Sequence, residues 1–192
     1  ELQEFYEKIS NSTILFVNQP VPRGFGDAVY RASIFTQNES FLLHAGDDLI
    51  LSKNNSHLKR AIRLFETLDA DAIFFVEKVD DPRKYGVIKG RKIKTSVFKV
   101  SEVFEKPERP PSKLAIVAIY VFKPIIYDAI KKTQPDKNGE IQLTKALQLL
   151  IEWQCNVYAV KLKTGEKRIE IGTADNYLKT LNMMLQMKLM KR

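Results

Sequence analysis

An α/β fold is predicted, a mostly parallel sheet flanked by helices with a small antiparallel hairpin or meander inserted, on three observations. Short apolar runs alternate with stretches of helical spacing along most of the chain. Residues 85–107 break that rhythm with glycine punctuation and the strand-like alternation of TSVFKV. The 192 residues, 44% of them hydrophobic, suffice for one sizeable core, so residues 1–192 read as a single domain.

The elements follow in order. An amphipathic start over residues 2–9 leads to TILFV (residues 13–17), read as a buried strand, and to the glycine- and proline-rich loop NQPVPRGFGDAV. A helix is expected over 27–35. A strand over 41–45 ends at Gly46-Asp47-Asp48, and a helix over 57–68 shows leucine and isoleucine at helical spacing. DAIFFVEKV (71–79) is a β-prone run, and LAIVAIYVF (114–122) is apolar throughout, as a central strand should be. Between them Pro107, Pro110 and Pro111 make a stiff surface connection. Helices over 124–132 and 141–152, a strand over 157–163 and a final helix over 174–190 complete the chain. The methionine-rich end of that helix suits core or oligomer packing, and a homo-oligomer is expected. Alternating β and α elements imply helices on both faces of the sheet, a Rossmann-like layout.

Composition excludes several functions. The formal net charge is +8, but the charges are spread, with lysines beside glutamates in EKPERPPSK and KTGEKRIE. No recognition motif accompanies them, so a polynucleotide partner is not expected; a basic surface attracts a small phosphorylated molecule equally well. No apolar run is long enough to span a membrane. The single cysteine, Cys155, reads as a small buried hydrophobe in a reducing, cytoplasmic setting. His44 and His57 are the only histidines; His44, inside an apolar strand, reads as a core residue. No Cys/His cluster has the spacing of a zinc site.

Three stretches could carry chemistry. In the loop, the Gln19 amide can donate and accept at once, as reading a base edge requires. Gly24 and Gly26 allow close backbone approach, and the following helix N-terminus favours an anion; an ordinary tight loop fits as well. Asp47 and Asp48 stand where a buried strand ends, the usual place of the ligand crevice in an open α/β sheet, and oxygen ligation suits Mg²⁺; capping of the next element is the alternative role for one of the two. Glu105-Lys106-Pro107 places an acid and a base on backbone restricted by proline, the acid able to accept from two hydroxyls and the lysine to meet a phosphate. Glu170, in RIEIGTADNY, is a further carboxylate at the end of a short apolar segment.

In their order, QPVPRGFGDAV, LLHAGDD, YGVI, VFEKP followed by SKLAIVAIYVF, GEIQLTKAL and IEIGTADNYL resemble the sugar-1-phosphate nucleotidyltransferases, in particular their uridylyl branch. The resemblance covers nearly the whole chain. It implies that Gln19 and the backbone at Gly24 read a uracil or thymine edge, with Pro22 and Phe25 walling the base. It implies Asp47 as the principal Mg²⁺ carboxylate and Glu170 as a second metal ligand. Tyr85 and Gly86 then meet the sugar, Glu105 holds its hydroxyls, Lys106 meets its phosphate, and Glu140 faces the sugar pocket. Asp47 and Lys106 would be the catalytic pair, and the partners UTP or dTTP and a sugar-1-phosphate.

Three departures accompany the resemblance. The family's glycine-rich G-x-G-T-R loop is absent, so the chain, opening on Glu1, is expected to be a fragment lacking the N-terminal phosphate-binding βα unit. Ala118 stands where many members have glycine, and Ile119 where the uridylyl branch often has arginine. Glu170 replaces an aspartate. A nucleotide-sugar-dependent glycosyltransferase and a non-catalytic nucleotide-binding or assembly module are the alternatives.

Overall fold

Five apolar residues in a row, alternating in direction, explain the centre of the molecule. In a computed structural model, which describes residues 2–189, strand β3 (Ala72–Lys78) sends Ala72, Phe74 and Val76 to one face and Ile73 and Phe75 to the other. All five are at most 1% exposed. The first face packs on helices α5 (Ile125–Lys132) and α6 (Leu143–Glu152), the second on α4 (Ser56–Thr67). Strand β6 (Leu114–Phe122) divides its side chains the same way. Helices on both faces of a sheet are therefore a consequence of two strands with no polar side.

The main sheet has six strands in the order β1 (Phe41–His44), β6, β3, β7 (Val157–Lys161), β5 (Val97–Glu105) and β4 (Gly86–Lys94). Strands β4 and β5 form the expected inserted hairpin, and β4 also touches β6 at Val87–Ala115. The sheet is mixed rather than mostly parallel: among the described residues only β3 and β7 pair in parallel. The reason is β6, which returns from the hairpin through the proline-rich connection without a crossover helix and so runs against both neighbours. An apolar run reports burial on both faces but not direction.

A bulge interrupts β6. Phe74 lies opposite Tyr120 and Phe75 opposite Val117, which leaves Ala118 and Ile119 without partners on β3. A separate two-stranded antiparallel sheet joins β2 (Asp48–Leu51) to β8 (Lys167–Glu170), with Asp48 opposite Glu170. This second sheet is not among the predicted elements.

Other departures are local. Residues 13–17 form no strand: Ile14, Leu15, Phe16 and Val17 are 56, 60, 96 and 44% exposed. A β-prone run becomes a strand only beside another strand, and no described strand pairs with it. The helix expected over 27–35 starts earlier and breaks at Ala32 into α2 (Phe25–Arg31) and α3 (Ser33–Thr36). His44 is exposed, not in the core, because β1 is an edge strand that turns Phe41 and Leu43 inward and His44 out. Cys155 is partly rather than fully buried, and burial pushes its thiol up. Helices α1 (Leu2–Ser10) and α7 (Ala174–Leu189) lie where expected; Met190 of the predicted last helix is outside the described residues.

Candidate active site

The end of β1, the open side of the β6 bulge, the start of β4, the end of β5 and the first turn of α6 surround one cavity of about 790 Å³. The small β2–β8 sheet and α7 complete its wall. Of the residues the sequence points to, Phe25, Asp47, Tyr85, Gly86, Glu105, Lys106 and Glu170 line it. Gln19, Pro22, Gly24 and Glu140 do not.

The acidic end is built from two carboxylates over one glycine. A Cβ on Gly172 would sit 2.7 Å from Glu170 Oε1 and 2.9 Å from Asp47 Oδ2, so both acids converge on the same point. Backbone bonds hold them there: the Ile171 N–H donates to the Asp47 carbonyl at 2.8 Å, and the Gly172 N–H to Glu170 Oε1 at 2.9 Å. The Asn176 side-chain amide donates to Glu170 Oε2. Among the described residues no group of three or more His, Cys, Asp or Glu stands ready as a metal cage. Two carboxylates with room for water and phosphate oxygens fit a hard cation such as Mg²⁺, which keeps several non-protein ligands.

Asp48 does something else. It is 4% exposed and accepts from Arg168 Nε at 2.6 Å, Arg168 Nη2 at 2.9 Å and the Ala118 N–H at 3.0 Å. That amide is free to point at it because of the bulge. Burial works against the Arg168 charge, but the bonds to Asp48 outweigh it and hold the guanidinium protonated. The guanidinium also lies 5.3 Å over the Tyr85 ring. Burial raises Glu77, whose carboxylate is 4.0 Å from Arg168 Nη1, and pushes up the Tyr120 hydroxyl beneath the cavity.

At the opposite end, Gly86 and Glu105 are cross-strand partners. Glu105 Oε2 accepts from the Thr144 hydroxyl at 2.8 Å, and Lys106 Nζ lies 3.7 Å from Glu105 Oε1. A side chain at Gly86 would come within 2.9 Å of Thr144 Cγ2, so only glycine leaves that wall open. Lys106 has φ +41°, a left-handed backbone that is uncommon for any residue other than glycine, before Pro107. Such strain clusters at functional sites.

The loop between residues 18 and 26 is strapped down rather than open. The Gly26 N–H donates to the Ile141 carbonyl at 2.9 Å, and the Ile141 N–H to the Arg23 carbonyl at 2.7 Å. Gly24, at φ +90°, would place a Cβ 2.9 Å from Glu140 Cβ. Both glycines serve this backbone contact. Gln19 donates to the Gly24 carbonyl at 3.1 Å and to Asp27 at 2.7 Å, which leaves its own oxygen as an acceptor and holds Asp27 ionised. Glu140 accepts from Gln142 at 2.7 Å, and it is Gln142, not Glu140, that reaches the cavity.

Several lining residues escape sequence reasoning: Lys84, Gln142, Thr144, Arg168, Asn176 and Lys179. A signal existed for Arg168, which precedes Glu170 by two residues and so shares its strand face.

The profile of the nucleotidyl transferase family matches residues 1–187. The chain is 34% identical over 178 residues to the UTP–glucose-1-phosphate uridylyltransferase of Pseudomonas aeruginosa and 34% over 188 residues to that of Streptococcus pyogenes. Those alignments cover 91% and 94% of this chain but 63% and 60% of the relatives, so it spans less than two thirds of their length. A crystal structure of UDP-glucose pyrophosphorylase complexed with UDP-glucose superposes with a TM-score of 0.89 at 29% identity, over 96% of this chain and 71% of that one. Profile, relatives and fold agree: the chain belongs to the nucleotidyl transferase family.

Proposed function

We propose that the chain takes part in nucleotidyl transfer from UTP, or dTTP, to a sugar-1-phosphate, in the first instance glucose-1-phosphate, giving UDP-glucose and pyrophosphate. The supporting observation is that one cavity joins two separate chemistries, the convergent carboxylates of Asp47 and Glu170 and the Glu105–Lys106 pair beside Gly86. In this reading Glu105, steadied by Thr144, accepts from sugar hydroxyls, and Tyr85 and Gly86 wall the sugar. Lys106 meets the sugar phosphate, with Lys84 and Lys179 supplying further positive charge. Phe25 and Pro22 border the base, and Gln19 offers its remaining amide oxygen to it; the uracil and thymine edges do not differ there. Asp47 and Glu170 would hold Mg²⁺, which when bound neutralises phosphate charge.

The sugar-phosphate oxygen attacks the α-phosphorus of the nucleotide, the bond to the β-phosphate oxygen breaks, and pyrophosphate leaves. The attacking oxygen is already ionised at neutral pH, so no general base is needed. Both histidines stand away from the cavity, in keeping with that. Positioning and charge stabilisation then carry the rate. Self-association belongs to the same reading: Tyr177, Leu178, Leu181 and Met184 form an exposed apolar stripe on α7.

The test is pyrophosphate release with UTP and dTTP against several sugar-1-phosphates, by the parent and by Asp47→Asn. Loss of the carboxylate is expected to lower turnover by about 10²–10³-fold, as for other groups that stabilise developing charge. Activity of the variant within tenfold of the parent would remove Asp47 from the reaction.

A further inference from the structure

We infer that the Asp48–Arg168 fork is the positioning device of this site: it fixes the register of β8 against β2 and thereby sets Glu170 beside Asp47. The inference rests on the function proposed above, because it concerns the same two carboxylates.

A two-stranded sheet of four-residue strands has little to define its own pairing. A slip by one residue would turn Glu170 to the other face and separate it from Asp47. The apolar pattern guards against that slip only in part: Ile50 and Ile169 are buried, but Leu49, opposite Ile169, is 46% exposed. The fork is a stronger one. Arg168 and Glu170 are alternate residues on β8, and Asp48 stands directly opposite Glu170, so its bond to Arg168 runs diagonally across the ladder. Two parallel N–H···O bonds, at 2.6 and 2.9 Å, can form in only one register. The third bond, from the Ala118 N–H, anchors Asp48 to the β6 bulge, and the ring of Tyr85 beneath the guanidinium carries the same constraint to the sugar end.

This also sorts the cavity's cations. Arg168 lines the cavity, yet its fork is committed to Asp48, so it shapes the site without serving as the phosphate ligand. Lysine cannot replace it, because a single ammonium cannot make the parallel pair.

Three variants of the full chain test the inference, each read by Mn²⁺ titration and by amide exchange at Ile171, whose N–H donates to the Asp47 carbonyl. Arg168→Lys keeps the charge and loses the fork. The double variant Asp48→Leu/Arg168→Leu removes the pair without stranding a buried charge and leaves only the Ala118 N–H without its acceptor, so a folded variant is expected. Arg60→Lys alters a second buried fork, between Arg60 and Glu166, as a control. Both Arg168 variants are expected to bind Mn²⁺ about tenfold or more weakly, the usual effect of losing a support behind metal ligands, and to exchange Ile171 faster by a similar factor. Arg60→Lys is expected to lower Tm while Mn²⁺ affinity stays within about twofold. Parental Mn²⁺ affinity and Ile171 exchange in both Arg168 variants would overturn the inference. A parent that binds no Mn²⁺ would instead count against the metal reading, and Ile171 exchange alone would then decide the register.

Discussion

Arg60 and Arg168 are buried alike, each side chain 9% exposed, and each grips one carboxylate with two nitrogens. Arg60 holds Glu166 at 2.5 and 2.8 Å, end-on through both Nη atoms, leaving its buried Nε without a partner. Arg168 holds Asp48 side-on, through Nε and Nη2, which frees Nη1 to face Glu77. The surroundings differ more than the bonds. Arg60 rises from α4 beside His57 and over Phe75, away from the cavity, whereas Arg168 sits in the cavity wall beside the convergent acids. Arg60 ties the turn before β8, where Glu166 immediately precedes the strand, whereas Arg168 ties the strand itself. The same motif thus closes the molecule just before a strand and builds a site within it. A buried ion pair is uninformative about function until its neighbours are named.

The largest expected effect separates folding from function. Arg60→Met leaves Glu166 buried without its partner, which destabilises by roughly 3–5 kcal/mol and lowers Tm by roughly 6–20 °C for a chain of this size. Urea unfolding and calorimetry would measure it. Sugar-phosphate and Mn²⁺ affinities should remain parental below the transition. A cost under about 1 kcal/mol would mean that Glu166 finds water when Arg60 is gone, and the two forks would no longer be comparable.

A smaller change probes the site side alone. Thr144 donates to Glu105 and lies against Gly86, so Thr144→Val keeps the shape and removes one bond to a carboxylate. Such a bond contributes roughly 1.5–3 kcal/mol, and a rise of about tenfold or more in the KM for sugar-1-phosphate is expected with little change in Tm. An unchanged KM would leave Glu105 correctly held by its strand alone.

How much of this could be read in the sequence follows from what each signal reports. The apolar runs located β3, β6 and β7, and the glycine-punctuated segment located the β4–β5 hairpin, because burial leaves a local trace. The direction of β6 and its bulge left none. Residues 13–17 show the limit of propensity, which measures fitness for a strand and says nothing about a neighbour. In the site, the resemblance brought Asp47, Tyr85, Gly86, Glu105, Lys106 and Glu170 to one cavity. Asp48 was visible only as the second of two acids, since its partner lies 120 residues away. Glu140 turns its carboxylate to Gln142 rather than into the cavity, a local hydrogen bond that spacing does not decide.

The smallest effect lies on the Arg60 side and is a matter of pH. His57 is 3% exposed, with Nδ1 2.6 Å from the Ser52 hydroxyl and its ring edge-on to Phe75. Burial lowers its pKa below the ordinary 6.5; nearby Arg60 and His44 push the same way, and Glu166 pulls back. The folded chain therefore holds fewer protons than the unfolded one as pH falls below 6.5, so the stability tied to a neutral His57 is full above that value and drains away beneath it, down to the folded pKa. One such group contributes a slope of at most about 1.4 kcal/mol per pH unit. His57→Phe also strands the Ser52 hydroxyl, so its stability should be lower at every pH, and the slope is the informative quantity. Between about pH 7.5 and 5.5 the variant's stability should fall less steeply than the parent's in urea unfolding. Parallel slopes would mean that His57 takes a proton as easily in the folded chain as in the unfolded one. Water would then reach His57, and the Arg60 fork would stand in water on one side rather than in the core.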